Sequence, residues 1–256
     1  MGPGGVVAII QGRMGSSRLP GKLLMEVMKR PLLSYQIERL RLNKWITQIV
    51  VATTTNTKDD PVVECAHGEQ VQVYRGSEYD VLDRYYQAAK TFSAEHVIRL
   101  TGDCPLIDID TCDRILNEYF TTGLDYVRTG ESFAEGLDCE IMSFEALECS
   151  WMRAKLKSER EHVTLYIRNH TEQFAIRIVE NETDDSKYRI TIDEEADFHV
   201  VKAIFNSLYT QENPYFGIEA IKKFLNANPD IYALNANIIR NEGLLKSLVK
   251  DQIVIE

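Results

Sequence analysis

Two patterns of apolar residues alternate through the first half of the chain. Short unbroken runs at Val6–Gln11, Ile49–Ala52, Val71–Tyr74 and Val97–Leu100 have the length of buried strands. Between them, Pro31–Leu42 sets Leu32, Leu33, Ile37 and Leu40 at helical spacing. Asp60-Pro61 opens a further helix with proline in its first turn, and Asp80–Phe92 and Asp108–Tyr119 read as helices again. Strands alternating with helices predict an α/β fold: a mostly parallel sheet with helices on both faces. Ligands of such sheets bind beyond the carboxyl ends of the strands. The Gly12–Lys22 and Gly102–Pro105 loops both come after strands, so both are expected on that edge.

The second half is less regular. Asp125–Thr129 and Cys139–Ser143 read as strands, and Ser158–Asn169 and Phe174–Val179 as a helix and a strand that project from the core. Arg189–Ile192 reads as a further strand, followed by a helix from Glu194 to about Leu208. From Phe216 onward the pattern predicts two helices broken near Pro229. There is no repeat, low-complexity tract or linker. The chain therefore reads as one domain over 1–256, with 130–185 as a projecting segment and 210–256 as a helical tail.

Charge sharpens this picture. The 256 residues carry a net charge of −10, which disfavours nucleic acid as a partner. Residues 1–30 run the other way, with Arg13, Arg18, Lys22, Lys29 and Arg30 against Glu26, and suit a small polyanion. No apolar run approaches the ~18–20 residues of a membrane span, and the N-terminus does not read as a signal peptide, so no membrane partner and a cytoplasmic location are expected. The five cysteines are odd in number and include no C-x-x-C pair, which argues against a disulfide framework or a structural zinc. Cys104, beside Asp103, reads either as a nucleophile or as a small buried thiol.

The chemistry concentrates in the first loop. Glycines let backbone N–H groups approach an anion, Arg offers a planar fork to phosphate oxygens, and Lys offers a point charge. Gly12–Lys22 holds all three, as a triphosphate site or as a solvated turn. Neither G-x-x-x-x-G-K-[ST] nor G-x-G-x-x-G is present. Asp103 and Asp193 each come after a strand-like run. Asp103 suits Mg²⁺, which takes one or two carboxylates plus phosphates, and either aspartate suits the cap of a following helix. Asp197 reads as a first-turn helix carboxylate.

The spacing Q-x-R-x-x-S-x-R-L-P-x-K, Gln11 to Lys22, resembles the signature of the cytidylyltransferases that make CMP-activated sugars, the CMP-KDO and CMP-sialic acid synthetases. The likeness is strongest to the spore-coat polysaccharide biosynthesis protein F type. It is carried in order by YRGSEYDVLDRYYQAAK (74–90), RLTGDCPLID (99–108), SEREHVTLYI (158–167) and YRITIDEEADF (188–198), and spans about Val6 to Phe205. The family's metal-binding blocks are changed here: Thr101 stands for Gln and Cys104 for Glu, and Glu194 and Glu195 replace Thr and Pro.

The resemblance implies a Rossmann-like, GT-A-type nucleotidyltransferase whose projecting segment serves a homodimer. It implies a Mg²⁺-dependent enzyme that moves CMP from CTP to a small anionic sugar-type acceptor in surface-polysaccharide synthesis. Arg13, Lys22 and Asp103 would be catalytic, and Asp103 and Asp193 the metal ligands. Gln11, Gly12, Ser16, Ser17, Arg18, Gly76, Ser77 and Arg84 would join Arg13 and Lys22 around the nucleotide. Asp138, Glu140, Arg160 and His162 would face the acceptor. Asp83-Arg84 could equally be a surface ion pair. The competing readings are a GT-A-type glycosyltransferase, which normally carries an Asp-x-Asp motif where this chain has Gly102-Asp103-Cys104, and a nucleotide-binding module without turnover.

Overall fold

The computed structural model describes residues 4–16 and 18–254. In chain order the first half runs β1 (Val6–Gln11), β2 (Glu26–Val27), β3 (Arg30–Pro31), α1 (Leu32–Leu40), β4 (Gln48–Thr54), α2 (Asp60–Gly68), β5 (Gln72–Gly76), α3 (Val81–Thr91), β6 (His96–Thr101) and α4 (Ile109–Thr122). The second half runs β7 (Tyr126–Thr129), β8 (Glu140–Ser143), α5 (Phe144–Arg153), α6 (Lys157–Glu161), α7 (Leu165–Asn169), β9 (Ile176–Val179), α8 (Glu195–Leu208), α9 (Ile218–Ala227), α10 (Pro229–Ala233) and α11 (Glu242–Val249). Seven strands form one sheet in the order β5-β4-β1-β6-β8-β7-β9. Only β8 runs against its neighbours; the other pairings are parallel.

Strand β1 shows why the sheet needs cover on both sides. Val6, Ala8 and Ile10 pack into one apolar cluster with Leu33, Ile37 and Ile115. Val7 and Ile9 pack into another with Leu82, Tyr85 and Ala89. A strand alternates its side chains across the sheet, so a run apolar at every position needs helices on both faces. A third cluster gathers Tyr35, Tyr188, Ile190, Ile192, Val201 and Phe205 beneath α8 and α9.

Five features differ from the expectations. Arg189–Ile192 is extended and buried but forms no ladder; it makes a single bridge to Glu135, and Ile192 N donates to Asp103 O at 2.8 Å. Ser158–Asn169 is two short helices, α6 and α7, parted where Val163 takes a positive φ of 28°. Residues 130–185 are built into the body instead of projecting from it. They supply β8 and β9 to the sheet, with Tyr166, Ile167 and Phe174 in its core. The tail holds a third helix, α11, and α5 was not expected at all.

Candidate active site

The chain leaves β1 for β4 and returns to β6, on the other side of β1, only after β5. The loops after β1 and β6 therefore part company and leave a crevice between them, the usual ligand position in an open α/β sheet. The crevice floor is drawn tight. Gly102 N donates to Gln11 O at 2.8 Å and Gly12 N to Ala52 O at 3.2 Å. Leu23 fills the space beneath: a Cβ on Gly12 would sit 2.1 Å from its Cδ2, and one on Gly102 2.9 Å. Only glycine fits at either position without displacing Leu23.

Lys22 stands at the centre. Its Nζ lies 3.0 Å from Asp103 Oδ2 and 2.9 Å from Asp193 Oδ1. Arg18 adds a second cation 3.0 Å from Asp193 Oδ1. Arg189 Nη2 supports the other oxygen of Asp193 at 3.3 Å. Burial opposes the charge on both Lys22 and Asp103, but their attraction outweighs it: Lys22 is held above its ordinary pKa, and Asp103, also bonded by Thr101 and Cys104, is brought down to about 2. The capping alternatives for both aspartates are filled by neighbours. Asp108 caps α4, accepting from Thr111 N at 3.0 Å. Asp197 accepts from the backbone N–H of Asp193 and Glu194 at 3.0 Å, the first-turn role expected of it.

This donor set fits Mg²⁺. Two carboxylates converge on one cation, and Mg²⁺ takes one or two carboxylates with water and phosphate oxygens completing its shell. Among the described residues no group of three or more His, Cys, Asp or Glu side chains could form a denser metal cage.

The loop itself departs from expectation. The backbone N–H groups of Gly12, Met14 and Ser16 are already engaged, with Ala52 O, Asp59 Oδ1 (2.7 Å) and Met14 O (3.0 Å). These three N–H groups are therefore not free to face a phosphate. Ser16 Oγ accepts from Leu19 N at 3.3 Å, and Ser17 lies outside the described residues. Arg13 turns to Glu78 at 2.9 Å. Arg84 is fully buried and donates to Ser77 O at 2.7 Å, so it holds the Gly76–Ser77 turn from beneath and lines no part of the crevice. It is not the surface ion pair with Asp83 either; Asp83 accepts from Trp151 Nε1 at 2.8 Å.

Two cavities share Arg18, Thr101, Asp103 and Asp193. One, of about 270 Å³, is lined by Gln11, Gly12, Arg13 and Lys22. The other, of about 240 Å³, is lined by Asp138, Glu140 and His162. Arg160 is absent from it. Its guanidinium grips the Asp80 carboxylate, with Nε at 3.0 Å from both oxygens, and donates to Trp151 O at 2.6 Å. Arg160 thus secures the N-cap of α3 and not an acceptor. Glu140 pairs with Arg99 and accepts from Tyr126 Oη at 2.5 Å. Burial lowers the pKa of His162, whose Nε2 is buried with no hydrogen-bond partner among the described residues.

Arg99, Arg128 and Arg168 also line this second cavity and escaped the sequence reading. For Arg99 and Arg128 a signal existed: each is an arginine inside a segment that reads as a strand. Cys104 is buried and its thiol is pushed well above the ordinary range by burial and by Asp103. Its Sγ donates to Asp103 Oδ1 at 3.4 Å, so it is a neutral thiol beside the carboxylate and not a thiolate nucleophile.

Residues 7–238 match the cytidylyltransferase family model. An uncharacterised protein of Methanocaldococcus jannaschii is 37% identical over 240 residues, covering 91% of this chain and 95% of its own length. The spore coat polysaccharide biosynthesis protein SpsF of Bacillus subtilis is 32% identical over 239 residues, covering 88% of this chain and 95% of its own. Among solved structures, a cytidylyltransferase from Leptospira borgpetersenii superposes with a TM-score of 0.84 at 35% identity, covering 89% of this chain and 96% of that one.

Proposed function

The chain belongs to the cytidylyltransferase family and is a nucleotidyltransferase; from that premise we propose that it transfers CMP from CTP to a sugar acid or related anionic sugar in surface-polysaccharide synthesis, with Mg²⁺ as cofactor and as a cytoplasmic homodimer. The observation that carries this reading is the convergence of Lys22, Arg18, Asp103 and Asp193 at the shared wall of two cavities. A group transfer needs two substrates meeting at one charged point, and this is where nucleotide and acceptor would meet.

In the reaction an acceptor oxygen forms a bond to the α-phosphorus while the bond to the β-phosphate oxygen breaks and pyrophosphate leaves. Charge builds on the leaving oxygens, and fixed cations stabilise it more than they stabilise bound CTP. Arg13, Arg18 and Lys22 would do this. Asp103 and Asp193 would hold Mg²⁺, which when bound supplies further neutralisation of the phosphate oxygens. Lys22 already balances those two carboxylates, at 3.0 and 2.9 Å. Arg99, Arg128 and Arg168 line the acceptor side, where their guanidinium groups would pair with the carboxylate or phosphate of an anionic sugar, with His162 beside them.

The test is pyrophosphate release in the presence of Mg²⁺ with CTP, UTP, GTP or ATP against a panel of sugar acids and sugar phosphates. The expected result is release with CTP and one acceptor class. Release with another nucleotide instead of CTP would overturn the base assignment, and CTP binding without turnover against a broad panel would favour the binding-module reading. Light scattering in solution tests the homodimer; a monomeric mass would remove it.

A further inference from the structure

The family match ends at residue 238, yet residues C-terminal to that point close the acceptor cavity. Asn241, Glu242, Gly243 and Leu244 form one wall of it. The segment from Arg240 to Val254 is pinned at both ends. At its start, Arg240 donates to Glu131 O and Phe133 O at 2.8 Å. At its end, Asp251 accepts from Ser158 Oγ at 2.6 Å, and Val254 N donates to Lys155 O at 2.8 Å. Between these pins, α11 buries no residue, and Leu245 and Val249 are exposed. An eight-residue helix with no buried face has little to hold it in place.

The middle is held by one hydrogen bond, Ser247 Oγ donating to Glu161 Oε2 at 3.1 Å, and by charge. Glu242 Oε2 lies 3.5 Å from Arg18 Nη1, while its other oxygen pairs with Lys246 at 2.7 Å within α11. Arg18 is shared with the nucleotide cavity. We propose that residues 240–254 are a strap over the acceptor cavity and that Glu242 latches it to Arg18, so that a triphosphate taking Arg18 releases the latch and opens the cavity to the acceptor. This rests on reading Arg18 as a triphosphate ligand.

The physical argument is competition for one guanidinium. A phosphate takes Arg best with two parallel N–H bonds, which calls on Nη1 as well as Nη2. The Glu242 contact is the longer of the two that Arg18 makes, 3.5 Å against 3.0 Å to Asp193, and both Arg18 and Glu242 are partly solvated. Such a pair contributes little and yields first. The incoming phosphate charge then repels the Glu242 carboxylate and moves it outward with α11. CTP thereby admits the acceptor, which favours nucleotide binding first.

Hydrogen exchange of the α11 amides in the full chain, with and without CTP and Mg²⁺, tests this alongside calorimetric CTP binding. Exchange in the wild type should be about two- to fivefold faster with CTP, the range a partly exposed ion pair supports. Glu242→Gln should show that faster rate without CTP, gain nothing further from CTP, and bind CTP about two- to fivefold more tightly. CTP binding with α11 exchange unchanged or slowed would overturn the latch alone, as would a Glu242→Gln protein that behaves like wild type. No CTP binding by the wild type would overturn the reading of the Gln11–Lys22 loop and the latch with it.

Discussion

Lys22 brings a positive charge to the point where Asp103 and Asp193 would otherwise repel each other, at 3.0 and 2.9 Å. That position, holding the two carboxylates where the proposed reaction would bring the triphosphate, makes its removal informative. Lys22→Ala should lower kcat/KM for CTP by roughly 10²–10³-fold, the scale of losing one preorganised charge at a reacting phosphate. Unchanged CTP kinetics in a pyrophosphate-release assay would take Lys22 out of the site. Asp103→Asn keeps the shape and removes the charge. Turnover at matched Mg²⁺ should fall by roughly 10²-fold or more while circular dichroism stays native; wild-type turnover would end its assignment as a metal ligand. Both residues were legible from the chain because each sits in a short motif at a strand end, where an α/β sheet places its chemistry.

At the scale of the element, two arginines read from the sequence as ligands serve the helices instead. Arg160 on α6 clamps Asp80, whose side chain caps α3 by accepting from Asp83 N at 2.9 Å. Arg84 on α3 holds the turn after β5. Arg160→Ala leaves the Asp80 carboxylate without its partner and should lower unfolding free energy by about 2–4 kcal/mol. Urea titration measures this, and the KM for CTP should stay within about twofold, since Asp80 lines neither cavity. A large KM change with unaltered stability would restore Arg160 to the site. Arg160 and His162 are two positions apart, roughly 200° around a helix, so they point to different sides, and only His162 reaches the cavity.

Across the whole molecule, one ionic knot ties the site to the body. Arg189 pairs with Glu135, with Asp193 at 3.3 Å and with Asp197 at 2.8 Å, and Asn235 Nδ2 donates to Asp197 at 2.8 Å. The knot joins the loop after β7, Asp193, the start of α8 and the tail. Burial alone would raise the pKa of Asp197, but hydrogen bonds from Arg189 and Asn235 outweigh it and hold the carboxyl below its ordinary 3.8. The folded protein therefore takes this proton less readily than the unfolded chain. The stabilisation is present above that value and is lost as pH falls through the folded-state pKa. Thermal unfolding should accordingly drop steeply below about pH 4. Asp197→Asn should melt lower at pH 7 yet show a flatter acid limb. Parallel acid limbs for the two proteins would place the acid sensitivity elsewhere.

The order of strands and helices in the first half, the basic loop after β1, and the pair Asp103 and Asp193 were open to reading from the chain. These rest on local periodicity and short-range spacing, which a linear sequence carries in full. The direction in which each charge points was not. Arg99, Arg128 and Arg168 line the second cavity while Arg84 and Arg160 are spent inside the fold, although all five are arginines. The same holds for the backbone N–H groups of Gly12, Met14 and Ser16, which are claimed by Ala52, Asp59 and Met14. And the C-terminal strap closes a cavity whose other residues lie far behind it in the chain. Which partner a polar group meets depends on segments brought together by burial of the three apolar clusters, and that long-range packing leaves no periodic trace in the order of the residues.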